Sequence, residues 1–246
     1  MERLFPGPVE EVTVGEVVAS YEPRASPPAD RPHVYTNFAV TVDGHAAIDG
    51  RAGPIGSAVD LQMLVALRMC ADAVMIGGAT LRAERYGRIM RDPQKRAVRE
   101  RRGLPHDPLA VIISGSLDLP WDTDLFTCGA GRILIFTSSD DEIPDTATPV
   151  RVERHAGGRV DLTEALRHLR VDRGIRGLLC EGGPMLHGDL LDAGMVDELF
   201  VTRGPLLGGG EAPGLARGMS ANITRLELVW LLREGSEIFH RYRVRR

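Results

Sequence analysis

The sequence predicts an α/β fold of three layers, a sheet between helices, finished by an antiparallel C-terminal hairpin. Three observations predict it. Short apolar runs such as ADAVMIGG (71–78), LAVIIS (109–114) and RILIFTS (132–138) end in glycine or hydroxyl residues, the pattern of buried strands entering turns. Helical patterns alternate with them, SAVDLQMLVALRMC (57–70) and DLTEALRHLRVDRG (161–174) being the clearest. The last stretch, RLELVWLLREGSEIFHRYRV (225–244), reads as two strands around a turn at Glu234-Gly235-Ser236, a hairpin that finishes one sheet edge.

In chain order, residues 1–31 are rich in proline and charge and close on YEPRASPPADRP, so they read as an N-terminal arm with one short helix at Pro8–Ala19. HVYTNFAVTV (33–42) is β-rich. Ser57 caps the next helix, which places Leu61, Leu64, Val65 and Arg68 at helical spacing. ATPVRVE (147–153) is a strand, and the helix over 161–174 stops at Gly174. RGLLCEGGP (176–184) gives a strand and a turn, then a helix through Asp192 that stops at Gly194. VDELFVTRGP (196–205) is again a strand. Nothing from 32 to 246 reads as a linker, so 32–246 is one domain behind the arm.

Composition excludes several classes of function. A chain of 246 residues with 43% hydrophobic and 26% charged residues and a net charge of −4 lacks the basic excess of a general nucleic-acid binder. The basic stretch RDPQKRAVRERR reads as a solvated helix or loop. The three cysteines, Cys70, Cys128 and Cys180, lie in or beside apolar stretches without a C-x-x-C, as buried free thiols of a reducing cytoplasm would. MERLFPGPVE has no signal-peptide pattern, and no apolar run approaches the roughly 20 residues of a membrane span. The chain is expected to be cytoplasmic, with no nucleic-acid and no membrane partner. The histidines are scattered without ligand spacing, so no metal is expected.

The chemistry gathers at strand ends. GGAT (77–80), SGS (114–116), TSS (137–139) and EGGP (181–184) each follow an apolar strand, and ligands of open α/β sheets bind beyond the carboxyl ends of strands. Gly182-Gly183 followed by Pro184 suits a backbone approaching a phosphate at a helix start. It equally suits a plain tight turn. There is no G-x-G-x-x-G with a downstream acid and no Walker A sequence, which disfavours Rossmann and P-loop folds.

Four blocks, NFAVTVDGHAA (37–47), ADAVMIGGATLRAERYG (71–87), LLCEGGPMLHGDLLDAGMVDELFV (178–201) and PLLGGG (205–210), resemble the reductase domain of riboflavin biosynthesis, the C-terminal half of a bacterial bifunctional deaminase–reductase. The resemblance covers about residues 32–246. It implies a dihydrofolate reductase-like fold with a mostly parallel twisted sheet, a homodimer, and NADPH-dependent reduction of a ribosylaminopyrimidine phosphate, 5-amino-6-(5-phosphoribosylamino)uracil. By the same resemblance, Ala39 falls where backbone meets the cofactor, and Thr80 and Glu84 line the nicotinamide side. Gly182, Gly183, Pro184, Met185, Leu186 and His187 match the loop and helix start that hold the cofactor phosphates. Gly115 matches a cofactor contact, and Ser114 and Ser116 beside it are expected to bond the adenosine 2′-phosphate. Arg68, Arg91 and Glu181 match substrate contacts, with Glu84 and Glu181 as the catalytic carboxylates.

These roles are physically reasonable. Hydride transfer needs proximity and orientation rather than a nucleophile or metal. Arginine forks suit a phosphate, and a carboxylate suits ring N–H groups or proton delivery. Each residue also has a plain reading: Arg68 as a helix-surface charge, Arg91 as a loop charge, Asp43-Gly44 as a hairpin turn. Two departures touch the substrate side. The chain reads Gly53-Pro54-Ile55-Gly56-Ser57 where the family has an aromatic residue and Thr-Ser, and Glu84-Arg85-Tyr86 where it has Asp-Asp-Pro. They leave open a dihydrofolate or dihydropterin reductase in the same fold, and beside it a non-catalytic nucleotide-binding protein.

Overall fold

Why the N-terminal residues do not lie outside the fold is settled by pairing. A computed structural model describes residues 1–210, 212–220 and 223–245. In it β1 (Glu2–Phe5) runs antiparallel to β10 (Arg225–Glu234), with Glu2 opposite Arg233 and Arg3 opposite Leu232. β2 (Glu10–Glu11) pairs with β1 in turn. Then comes α1 (Val14–Ala19), shorter than the expected helix, started by a capping box in which Thr13 and Glu16 satisfy each other's backbone N–H groups. Tyr21 packs edge-on against Tyr35 and Phe200, both centroids 5.2 Å away, and carries the Arg241 guanidinium on its ring. The arm expected over 1–31 is therefore part of the sheet and core. Proline and charge misled the reading because an edge strand tolerates both.

Contacts divide the chain into two compact units. The first comprises Met1–Glu22, Val34–Leu67 and Cys180–Arg246, and the second Pro23–His33 and Arg68–Leu179. Each unit holds its own part of the N-terminal segment.

In the first unit the strands run in the order β2-β1-β10-β11-β9-β3, with β3 at His33–Val40, β9 at Glu198–Arg203 and β11 at Glu237–Arg245. β3 and β9 are parallel, Ala39 lying opposite Thr202; β9, β11 and β10 are antiparallel. The C-terminal hairpin forms as expected, Gly235 supplying the positive φ of its turn. It does not finish an edge, because β1 covers β10. Glu198 is buried and held by two bonds from Arg241, at 2.8 and 3.0 Å. A buried carboxylate needs such a partner. α2 (Ala58–Arg68) buries Met63 and Leu67, and α7 (Pro184–Asp192) buries Leu186, His187 and Leu190.

In the second unit the strands run in the order β8-β4-β5-β6-β7, parallel from β4 to β7: β8 at Gly177–Cys180, β4 at Ala73–Gly77, β5 at Leu109–Ile113, β6 at Ile133–Thr137 and β7 at Val150–Arg154. β6 is buried at every residue and β4 at all but its last, which requires cover on both faces and explains their unbroken apolar runs. α3 (Gly78–Glu84), α4 (Pro93–Arg101), the single turn α5 (Asp124–Thr127) and α6 (Leu162–Arg167) connect the strands. The basic stretch is α4, capped by Asp92. Its Arg99 is fully buried, with Nη1 donating to the carbonyls of Arg68, the last residue of α2, and Ala71, and Nε to that of Pro105. Pro23–His33 is clamped here: Arg24 pairs with Asp72 at 2.9 Å, and Arg176 donates to the carbonyls of Arg24 and Ala25. Cys70 and Cys180 are buried as expected, but Cys128 is only half-buried.

Candidate active site

In the first unit, the turn between β8 and α7 supplies the most constrained backbone. Gly182 has φ +115°, a conformation open only to glycine, and Gly183 is the extended N-cap of α7 with φ −90°. The peptide between them is cis. No side chain caps the helix, and Pro184 at its first position has no N–H to lose. An uncapped start of a nine-residue helix, preceded by two residues without side chains, is a cradle for an anion. Met185 is exposed there and Leu186 buried. His187 is fully buried and its amide bonds the Gly183 carbonyl at 2.9 Å, so neither its ring nor its N–H faces a phosphate. The His187 ring is thus held in the core, against the direct cofactor contact expected of it. Glu181, just before the glycines, is buried.

Beside Ala39 the sequence reasoning missed a cluster. Thr202, its partner on β9, donates from its side chain to Asp60, the third residue of α2. Burial pushes the Asp60 carboxyl above the usual carboxylate range, the Thr202 bond opposes that, and the nearby Glu237 adds to it. Asp60 Oδ1 is buried without a hydrogen-bond partner among the described residues. Gly56 lies beneath it, and a Cβ there would stand 2.1 Å from Oδ2 and displace the carboxyl. The signal was present. Ser57-Ala-Val-Asp60 has the form of a capping box, in which Asp60 would return a bond to the Ser57 N–H. Ser57 Oγ does accept from Val59 and Asp60 N–H, but the Ser57 N–H goes to Glu237. Asp60 therefore does not close the capping box. Only the long-range Glu237 contact reveals this.

In the second unit, Thr80 and Glu84 lie half-buried on α3. Ser114 is buried against Gly78, its Oγ nearest to where a Cβ would stand, while Gly115 and Ser116 are exposed. The three residues therefore do not present one surface. The Ser114 hydroxyl faces Gly78, and the Gly115 carbonyl accepts from Ser138. Arg68 and Arg91 meet one loop, 86–91. Arg68 donates to the Ile89 carbonyl at 3.1 Å with its guanidinium 5.8 Å from the Tyr86 ring, and the exposed Arg91 folds over Gly87. Two guanidinium groups on one loop can serve a dianion. A cavity of 380 Å³ lined by Arg132, Arg151 and Arg173 lies instead at the amino ends of β5, β6 and β7, and none of these site residues lines it.

Comparison with known proteins decides the family. The model of the RibD C-terminal domain matches residues 32–239. The chain belongs to the RibD C-terminal domain family. Among RibD-type relatives, the 2,5-diamino-6-ribosylamino-4(3H)-pyrimidinone 5′-phosphate reductase of Archaeoglobus fulgidus is 27% identical over 218 residues, covering 86% of this chain and 99% of that protein. A pyrimidine reductase-like protein from Corynebacterium diphtheriae superposes with a TM-score of 0.79 at 25% identity, over 96% of this chain and 100% of that one. Dihydrofolate reductase from Enterococcus faecalis, at 13% identity and a TM-score of 0.50 over 87% of this chain and 97% of that one, shares the fold. The dihydrofolate reductase-like α/β architecture expected from the four blocks is therefore present.

Proposed function

We propose that this chain is an NADPH-dependent reductase of a ribosylaminopyrimidine phosphate in riboflavin biosynthesis, and that its ring substrate carries a 2-amino-4-oxo edge. The observation that supports this most is that the Archaeoglobus relative, matched over nearly its whole length, is named a diaminopyrimidinone phosphate reductase. That substrate differs from the uracil expected from sequence by an amino group in place of an oxo group. Asp60 fits the difference: an ionised carboxylate accepts from a ring N–H and an exocyclic amino group together, and meets a 2-oxo group acceptor to acceptor.

The residues present fit a dinucleotide. Gly182 and Gly183 place no side chain at the uncapped start of α7, whose free amides suit phosphate oxygens. When bound, the dihydronicotinamide supplies the hydride. Ala39, Thr80 and Glu84 are assigned to orienting its ring, Gly115 and Ser116 to the adenosine 2′-phosphate, and Arg68 and Arg91 to the substrate phosphate. Ser114, buried against Gly78, is assigned to supporting that turn. Glu181 and Glu84 are the groups assigned to hold or move the proton that accompanies the hydride. A dimer remains part of the proposal, but its surface must leave room for β1 along β10.

A dihydropterin shares the 2-amino-4-oxo edge, so Asp60 favours a second reading as a dihydropterin reductase. The two separate on phosphate. Arg68→Ala should cost a phosphorylated substrate about ten- to a hundredfold in kcat/KM, the worth of a charge-assisted bond, and leave a pterin lacking phosphate unaffected. Equal losses on both substrates would overturn the assignment of Arg68.

A further inference from the structure

His187 is a histidine with an unusual surrounding. Its ring is fully buried on the first half of α7, and it stacks on Phe38 with centroids 4.5 Å apart and planes 27° from parallel. Nδ1 lies 3.0 Å from the Leu215 carbonyl. A carbonyl only accepts, so Nδ1 carries the proton and Nε2 is a bare acceptor, without a partner among the described residues. The ring is therefore held neutral and in one tautomer.

Leu215 belongs to a stretch, 213–220, that is fastened along α7. The Arg217 N–H donates to the Pro184 carbonyl at 2.9 Å. Gly188 lets the Arg217 carbonyl approach so closely that a Cβ would lie 2.0 Å from its oxygen. Ser220 donates from N and Oγ to Asp192, at 2.7 and 2.9 Å. At the other end, the Ala46 N–H donates to the Pro213 carbonyl at 2.8 Å, just past the turn that follows β3. Upstream in the same connection, the Gly208 and Gly209 amides bond the Asp43 carboxylate. The connection therefore ties the turn beyond Ala39 to the first turn of α7, and His187 is the one side chain of that turn that reaches a strap carbonyl.

We infer that His187 is a positioning residue: its bond to Leu215 latches the 213–220 stretch onto α7 and thereby fixes the Pro184 end of the Gly182–Gly183 loop for the cofactor phosphates. The inference rests on the reading above that this loop takes NADPH. A residue that only filled space would be replaceable by any side chain of like volume. A latch requires a donor at the Nδ1 position, which asparagine can supply and alanine cannot.

The test compares the parent with His187→Ala, His187→Asn and His187→Gln, reading NADPH affinity by fluorescence titration, kcat, and amide hydrogen exchange at Arg217. The latch predicts that His187→Ala weakens NADPH binding about tenfold, the worth of one such bond, with kcat within about twofold and faster exchange at Arg217. His187→Asn should restore affinity and slow exchange, and His187→Gln should not. Equal NADPH affinity in His187→Ala and the parent would overturn the inference, as would Asn and Gln behaving alike. Should His187→Ala fail to fold, the Asn and Gln pair carries the comparison. Failure of the parent to bind NADPH would instead sink the cofactor reading of the loop, while exchange at Arg217 would still report whether His187 latches.

Discussion

The Ser57 N–H donates to Oε1 of Glu237 at 2.9 Å, joining the start of α2 to the start of β11 across 180 residues of sequence. The bond takes over the capping task that Asp60 would perform by local pattern. What remains is a carboxyl beside Thr202 with its pKa raised chiefly by burial.

Asp60 therefore costs stability at neutral pH. The sign follows from the direction: a carboxyl whose folded pKa exceeds its unfolded value binds the proton more tightly when folded, so stability falls as pH rises from the unfolded value near 3.8 through the raised one. Asp60→Asn removes that cost. Its melting temperature at pH 7 should equal or exceed the parent's, while kcat/KM for the pyrimidinone should fall about ten- to a hundredfold. A variant that melts lower and turns over normally would make Asp60 structural.

His187 gives the opposite slope. Burial, opposed by its bond to Leu215, lowers its pKa to about 4 from 6.5. The folded state resists protonation, so its contribution is complete above about pH 6.5 and is lost as pH falls towards 4, a loss of about 3 kcal/mol at roughly 1.4 kcal/mol per unit. Urea midpoints of the parent and His187→Asn at pH 7 and 4.5 check this. The parent should lose more stability than the variant over that interval, and parallel losses would contradict the assignment.

The paired glycines separate conformation from space. Gly182 at φ +115° needs glycine on backbone grounds, so Gly182→Ala should destabilise by about 1–3 kcal/mol. Gly183, at φ −90°, accepts alanine conformationally, so loss of NADPH affinity in a stably folded Gly183→Ala would report the phosphate cradle itself. Normal affinity there would leave the loop as a turn only.

Thiol reactivity checks the packing of the same region. Burial pushes the Cys180 thiol up to about 12, and Cys70 is buried, whereas Cys128 is partly open. Native protein at pH 8 should be alkylated at Cys128 well before the other two, as read by peptide mass. Early labelling of Cys180 would show that β8 opens.

What the sequence disclosed follows from periodicity. Unbroken apolar runs marked β4, β5 and β6, because strands buried on both faces need nothing else, and Gly-Gly-Pro marked the start of α7. Residues 1–22 escaped because β1 is defined by pairing with β10, a contact more than 200 residues away that leaves no local pattern. Asp60 escaped for the same reason, since its local pattern points to a cap and only Glu237 and Thr202 show otherwise. The way Arg68 and Arg91 meet one loop depends on Tyr86, which in the sequence stands only as a departure from the family, and on the close approach that Gly87 allows.

The most direct test of the central claim is steady-state oxidation of NADPH with each of three substrates: 2,5-diamino-6-ribosylamino-4(3H)-pyrimidinone 5′-phosphate, the corresponding aminouracil, and dihydrofolate. The account predicts the highest kcat/KM on the pyrimidinone, a preference over the aminouracil of about tenfold or more that Asp60→Asn narrows, and weaker turnover with NADH. No oxidation with either ribosylaminopyrimidine phosphate, or a clear preference for dihydrofolate, would contradict it.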